Sequence, residues 1–323
     1  MTPPLGRRVA LGLLATGLAA PRIARAARFP ERPIRMINPW SPGSSSDVQM
    51  RSMAELAQRP LGQPVIVENR PGASGTLVAP AVKEARPDGY TIGQMHLSII
   101  RRPYLVRNPQ WDVATDFTYI IGLCGWVTGL AVRADAPWKT FHEFMESARA
   151  SPGGRTYATS GIATTPHIAM EDMARRLGVQ LTHVPYRGTS EGVTAVLGGT
   201  VDCMADASAW APHVVAGRMR LLAVFTAQRF ERFPEVPTLR ELGLDMVVST
   251  AYGLVGPAGM DRGVVRILHD AFKEALFHPE NERVRAQFDM PAAYHDSDAY
   301  REVTLRQAAY EREMVQRLGL RLD

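Results

Sequence analysis

The chain has 323 residues and only two cysteines, Cys124 and Cys203, with no Cys-x-x-Cys. That argues against a structural zinc site. An oxidising compartment permits a bridge between the two. Both lie in apolar, strand-like runs, so buried free thiols are equally expected. Past the N-terminus no stretch approaches the roughly 20 apolar residues of a spanning helix. No tandem repeat or low-complexity segment occurs. The small-residue loop in "INPWSPGSSSDVQM" has no lysine after its serines, so it is not a P-loop, and it lacks G-x-G-x-x-G. Nucleotide binding is thereby disfavoured. Its "GSSSD" lacks the closing glycine of the nucleophile elbow. "HEFME" at His142 is not H-E-x-x-H, so a zinc hydrolase is disfavoured too. A serine hydrolase using Ser44, Ser45 or Ser46 with His96, His167, His183 or His213 stays as an alternative of another class. Such triads are recognised only by geometry.

What is present begins with an export signal. Arg7 and Arg8 precede an apolar run from Val9 to Ala20, and Ala24-Arg25-Ala26 offers a small-x-small cleavage site. Residues 1–26 are expected to be removed, by the Sec route or, given the arginine pair, the twin-arginine route. An uncleaved anchor is the competing reading. The formal charge of +5 includes four arginines of this segment, which leaves +1 on the exported chain. The basic pI is therefore poor support for nucleic-acid binding, and no nucleic-acid partner is expected. About 297 residues remain, enough for two domains with a large core.

The mature chain alternates strands and helices. Strands are expected at 34–38, 65–68, 91–95, 129–133, 155–158, 182–185, 201–205, 221–226 and 252–255. Helices are expected at 47–59, 140–150, 166–177, 263–276 and 297–318. Thr140 with Glu143, and Thr238 with Glu241, have capping-box spacing. Pro166 and Gly178 mark a helix start and stop. This alternation predicts an α/β protein of parallel sheets covered by helices on both faces.

Two loops share one design. The first runs from Trp40 through Ser41, Gly43, Ser44, Ser45 and Ser46 into a helix at Asp47. The second, "ATSGIATTPH", carries Ser160, Gly161, Ile162, Ala163, Thr164, Thr165 and His167. Ligands of open α/β sheets sit beyond the carboxyl ends of strands, where helix N-termini point. A helix N-terminus offers orphan N–H groups and about half a positive charge, and hydroxyls add donors. The pair is expected to face across a cleft and to hold a dicarboxylate, or one carboxylate plus a hydrogen-bonding tail. Any one of these serines taken alone is better explained as a helix cap, but capping needs only one such residue per helix. Asp47 would repel a carboxylate. Near the first helical position it is expected to act structurally, on the helix dipole.

"VIVENRPGASGTLVA…PDGYTIG", "HVPYRGTSEGVTAVLGGTVDCMAD" and "VPTLRELGL" together resemble the Bug family, periplasmic solute-binding proteins of tripartite tricarboxylate transporters. The resemblance runs from about Pro30 to the last helix. It implies a type II periplasmic-binding-protein fold, two α/β lobes joined by crossover strands and closing like a flytrap on a small carboxylate. The lobes would be 27–130 with 252–323, and 131–251. It implies no catalysis, cofactor or metal, a monomer, and a membrane permease or a sensor kinase as partner. Its first-loop motif maps onto Pro39, Trp40, Gly43, Ser44 and Asp47. The second maps onto Thr159, Ser160, Gly161, Ala163, Thr164 and His167. Tyr186, Gly188 and Asp206 match pocket positions of the second lobe, and Ser98 completes the candidate set. This chain has Trp40 where the family pattern has phenylalanine, and Ser44 and Ala163 where it has glycines. Side chains at those glycine positions narrow backbone approach. Trp40 adds a broad face and one N–H donor, which suits a hydroxylated or aromatic acid.

Overall fold

A computed structural model describes residues 29–248 and 250–322. The expected export signal at 1–26 lies outside them. The chain builds β1 (Ile34–Asn38), α1 (Ser45–Leu61), β2 (Val65–Asn69), α2 (Val78–Lys83), β3 (Thr91–Met95), α3 (Leu97–Leu105) and β4 (Phe117–Cys124). It then crosses into β5 (Thr128–Arg133), α4 (Phe141–Ala150), β6 (Thr156–Thr159), α5 (Thr165–Leu177), β7 (Thr182–Pro185), α6 (Thr189–Leu197), β8 (Cys203–Ala207), α7 (Ala211–Val215) and β9 (Met219–Val224). It returns through β10 (Tyr252–Pro257), α8 (Arg262–Leu276), α9 (Pro279–Gln287), β11 (Ala292–His295) and α10 (Ser297–Leu318).

Two sheets result: a six-stranded one ordered β11-β4-β10-β3-β1-β2 and a five-stranded one ordered β7-β6-β8-β5-β9. Expected boundary residue 130 falls inside β5, which belongs wholly to the second sheet. The first crossing lies between Cys124 and Thr128, and the second lies between Val224 and Tyr252.

The sheets are mixed rather than parallel, which corrects the expectation from alternation. Strands β1, β2 and β3 are parallel, as are β6, β7 and β8. The first strand after each crossing runs the other way: β10 is antiparallel to β3 and β4, and β5 to β8 and β9; β11 is also antiparallel to β4. β5 and β10 enter their sheets from the other lobe and not through a βαβ crossover, so the rule for parallel βαβ units does not bind them.

Pleating assigns the faces. In β1, Ile34 and Met36 pack with Met50, Met53 and Ala57 of α1 and Leu268 and Phe272 of α8. Ile37 points the other way, into Val78 and Val82 of α2 and Tyr300 of α10. The second sheet repeats the arrangement, with Phe144 of α4 and Met173 of α5 on one face and Val196 of α6 and Trp210 on the other. Each such buried large apolar side chain contributes about 1.5–3 kcal/mol. The two thiols are free and buried, Cys124 among the side chains of the first sheet and Cys203 among those of the second.

Local signals mostly behave as expected. The Thr140–Glu143 box caps α4, and Gly178 ends α5 at φ 64°. The Thr238–Glu241 box forms its two reciprocal hydrogen bonds at 3.2 and 2.9 Å, yet no helix follows. Gly243, at φ 85°, turns the chain out after a single turn.

Candidate functional site

In both lobes helical segments begin just past the carboxyl ends of parallel strands: α1 after β1, α3 after β3, α5 after β6 and α6 after β7. Residues 40–47 and 160–167 lie at two of these ends.

The first loop is braced by its own lobe. Ser44 is the N-cap of α1, and its Oγ accepts the Asp47 N–H at 3.2 Å. Asp47 is therefore the third helical residue, not the first. It is buried, and its carboxylate accepts from Gly43 N–H at 2.9 Å, Asn69 Nδ2 at 2.7 Å, Asn38 Nδ2 at 3.4 Å and Arg51 Nε at 3.0 Å. Burial alone would raise its pKa. The bonds from Arg51, Gly43 and Asn69 and the Arg51 charge outweigh that and hold it below the usual carboxylate value. Its expected structural role stands, with this clamp as the cause. Gly43 sits at φ 79°, a conformation few L-residues adopt. Ser46 is also turned inward, 3.2 Å from Asn38 Oδ1 and 3.1 Å from Gln94 Oε1. That leaves exposed Ser41 and half-buried Ser45 as the loop's outward hydroxyls. No hydrogen bond joins Ser44, Ser45 or Ser46 to a histidine among the described residues.

Trp40 is half-buried. Its carbonyl accepts from Asn69 Nδ2 at 2.8 Å, and its ring leans on His96 at 5.2 Å between centroids. Its Nε1 is buried without a hydrogen-bond partner among the described residues, and so is His96 Nδ1. Burial lowers the His96 pKa to about 4, with the Arg101 charge adding to this against an opposing bond to Ser74 O. The ring is neutral at pH 7. Ser98, in the first turn of α3, is buried.

The second loop is held from two sides. Ser160 N–H donates to Asp206 Oδ2 at 2.6 Å, and Asp206 also takes Ala207 N–H at 2.7 Å and Thr189 Oγ at 3.3 Å. Burial pushes Asp206 up to about 6 although each of these bonds lowers it. Thr164 is the N-cap of α5, but its Oγ donates to Gly161 O at 2.8 Å instead of capping. The Thr164 and Thr165 N–H groups have no partner among the described residues, as is usual for the first turn of a helix. Ala163 N–H donates to His167 Nδ1 at 3.0 Å. His167 stacks on His183 at 3.9 Å, and burial first and Arg101 second lower it to about 4. His183 lies 2.7 Å from Thr159 Oγ. Tyr186 is half-buried against the α6 side of the second sheet, and Gly188 is the N-cap of α6.

Contact between the lobes brings Ser74 and Arg101, absent from the sequence-based set, onto Ile162 and Ala163, which belong to it; the lobes also meet at Arg232 with Asp289, at Arg317 with Asp172 and at Ser208 Oγ with Phe288 O. Ser74 Oγ donates to Ile162 O at 2.7 Å, and Arg101 Nη1 donates to Ala163 O at 2.8 Å. Gly72, Ala73, Ser74 and Gly75 all have positive φ, 123°, 46°, 56° and 83°. The segment is a left-handed turn, and Gly75 admits no Cβ because His96 Nε2 would lie 2.8 Å from it. "RPGASG" carried that information in its two glycines. Arg101 carried no local signal: its partner Glu311 is remote in sequence.

A family model described as "Tripartite tricarboxylate transporter family receptor" matches residues 49–320. A protein of Cupriavidus necator described as the UPF0065 protein in the gbd 5′ region is 44% identical over 313 residues, covering 97% of this chain and 95% of the relative. Among solved structures, the periplasmic binding protein BugD matches with a TM-score of 0.84 at 28% identity, covering 91% of this chain and 99% of that one. MatC from Rhodopseudomonas palustris with bound malate matches with a TM-score of 0.81 at 26% identity, covering 89% and 100%. The two-lobed architecture is thus shared with periplasmic binding proteins.

Proposed function

The chain belongs to the tripartite tricarboxylate transporter receptor family, and on that premise we propose that it is a periplasmic receptor that traps a small carboxylate between its lobes. It acts as a monomer without chemistry on the ligand, and hands the ligand to a membrane permease. The observation that carries this reading is the pair of helix starts at α1 and α5, each behind a loop of small hydroxylated residues, in lobes that touch at Ser74 and Arg101. One carboxylate group meets the first turn of α1 near Ser45. The other end of the ligand meets the orphan N–H groups of Thr164 and Thr165. Each helix end favours an anion by about 0.3–1 kcal/mol, and up to about 2 kcal/mol when partly buried. Charge-assisted hydrogen bonds add to this.

Trp40 sets the ligand class. Its unpartnered N–H needs an acceptor, and a hydroxylated or aromatic acid can supply one while packing on the ring. Malate in the MatC structure, a hydroxylated diacid held by the same fold, is consistent with this choice. A thermal-shift screen of organic acids tests the reading, because a ligand of the native state raises the melting temperature by linkage. Hydroxylated or aromatic di- and tricarboxylates should give the largest shifts, reduced in Trp40→Ala. Shifts confined to small aliphatic diacids and unchanged in Trp40→Ala would refute the Trp40 assignment. No shift with any carboxylate would refute the receptor reading.

A further inference from the structure

Arg101 is the most deeply buried arginine of the interlobe region, 1% exposed. It sits on α3 of the first lobe. Its Nε donates to Glu311 Oε2 on α10 at 2.5 Å, and Glu311 is itself 1% exposed and takes Gln307 Nε2 at 2.9 Å. That pairing satisfies the charge, which would be costly to bury alone. It also aims the rest of the guanidinium fork across the cleft. There Nη1 meets the carbonyl of Ala163, in the middle of the second loop.

Ala163 is the strained point of that loop. It has φ 58° without being glycine, a conformation costly enough to persist only when its surroundings enforce it. The residue is gripped at both ends. His167, from its own lobe, takes the N–H, and Arg101, from the other lobe, takes the carbonyl. The next carbonyl back, that of Ile162, is also turned to the first lobe, onto Ser74 Oγ. Two loop carbonyls that would repel an anion are thus occupied from across the cleft, and the N–H groups of Thr164 and Thr165 stay free for it. Apolar contact of Leu105 and Val315 with Ala163 seals the same spot. Opening the lobes would remove the carbonyl partner and leave only the His167 bond.

We propose that Arg101 is a positioning residue for the ligand: it engages the Ala163 carbonyl when the lobes meet, and so couples closure to the anion-binding shape of the second loop. The assignment of the second loop to the ligand rests on the receptor reading above; the coupling to closure does not.

The experiment therefore uses ligand-free protein. Spin labels on Ile66→Cys in the first lobe and Val215→Cys in the second occupy exposed positions, and both native thiols are fully buried. The interlabel distance distribution by pulsed electron resonance should show a closed, short-distance population. Arg101→Met combined with Glu311→Gln, which avoids an unpaired buried charge, should deplete that population at least fivefold. Ser74→Ala, which keeps the Arg101–Glu311 pair and the Ala163 bond and removes only the Ile162 contact, should deplete it less. Distributions that superimpose for wild type and the Arg101 variant, or a wild type with no closed population, would overturn the proposal. The melting temperature of each variant separates loss of coupling from loss of fold. Failure of the receptor reading itself would show separately, as absence of any carboxylate-dependent shift.

Discussion

The two loops proposed to hold the ligand look alike in sequence and are held in opposite ways. The first is fixed by one residue of its own helix: Asp47 gathers Gly43, Asn69, Asn38 and Arg51 into a single buried clamp. The second is held partly by Asp206 of its own lobe and partly by Ser74 and Arg101 of the other. In the proposed site one half is braced wholly within its own lobe, and the other rests partly on contacts from the opposite lobe. A receptor built this way can receive a carboxylate on the finished half and trap it by finishing the second. Pre-organisation lowers the ordering cost of the first encounter, and the closure-dependent half couples trapping to occupancy.

Removing the clamp should abolish this difference. Asp47→Ala strips the acceptor from the Gly43 amide and from Arg51 Nε, and leaves Asn69 only its bonds to the Trp40 carbonyl and to Arg51, so a loss of about 3 kcal/mol is expected by urea denaturation. Ligand-induced thermal shifts should vanish with it. Asp47 has a depressed pKa, so its contribution is present above the unfolded carboxylate value and is lost as pH falls through the folded one. Acid denaturation in the range below about pH 4 should therefore be shifted to higher pH in Asp47→Ala.

The second loop should respond to pH with the opposite sign. Asp206 titrates near 6 in the folded protein because of burial. Its stabilising contribution is full below the unfolded value and is lost as pH rises through about 6. His167 and His183, lowered to about 4 chiefly by burial, act against it, since their contribution is lost as pH falls from about 6.5. Asp206→Asn should remove the first dependence and leave the second. The stability difference between variant and wild type should change by about 2 kcal/mol between pH 7.5 and pH 4.5, read from melting curves at each pH. A difference that stays flat with pH would place the Asp206 carboxylate in a more solvated setting than the one described.

The smallest effect is expected at Ala163. Ala163→Gly relieves positive φ but adds backbone freedom to the unfolded chain. The two nearly cancel, and stability should change by less than about 0.5 kcal/mol. Dissociation of a bound carboxylate in stopped flow should nonetheless speed up, because glycine holds the loop shape less firmly.

How much of this was legible follows from the range of each interaction. Caps, turns and amphipathic faces are local, and Thr140, Pro166 and Gly178 announced their helices correctly. The Thr238–Glu241 box shows the limit: local hydrogen bonds formed, but Gly243 stopped the helix. The strand at Phe117–Cys124 was overlooked because it pairs with β10 and β11 from far along the chain. The site followed the same rule. The two loops could be named from their small hydroxylated residues, and Asp206 and His167 only through the resemblance to the family. Counting all three serines as anion ligands was too generous, since Ser44 caps α1 and Ser46 is turned into the lobe. Arg101 was invisible, because its role depends on Glu311, 210 positions away in the chain, and on lobe contact that no local pattern encodes.

The claim on which everything turns is that a carboxylate bridges the starts of α1 and α5. Isothermal titration calorimetry tests it most directly, with the best carboxylate from the thermal-shift screen and three proteins: wild type, Ser45→Asp and Thr164→Asp. A negative charge placed at either helix start should weaken binding by more than about 100-fold through like-charge repulsion, with each variant still folding cooperatively. Unchanged affinity in either variant would contradict the clamp.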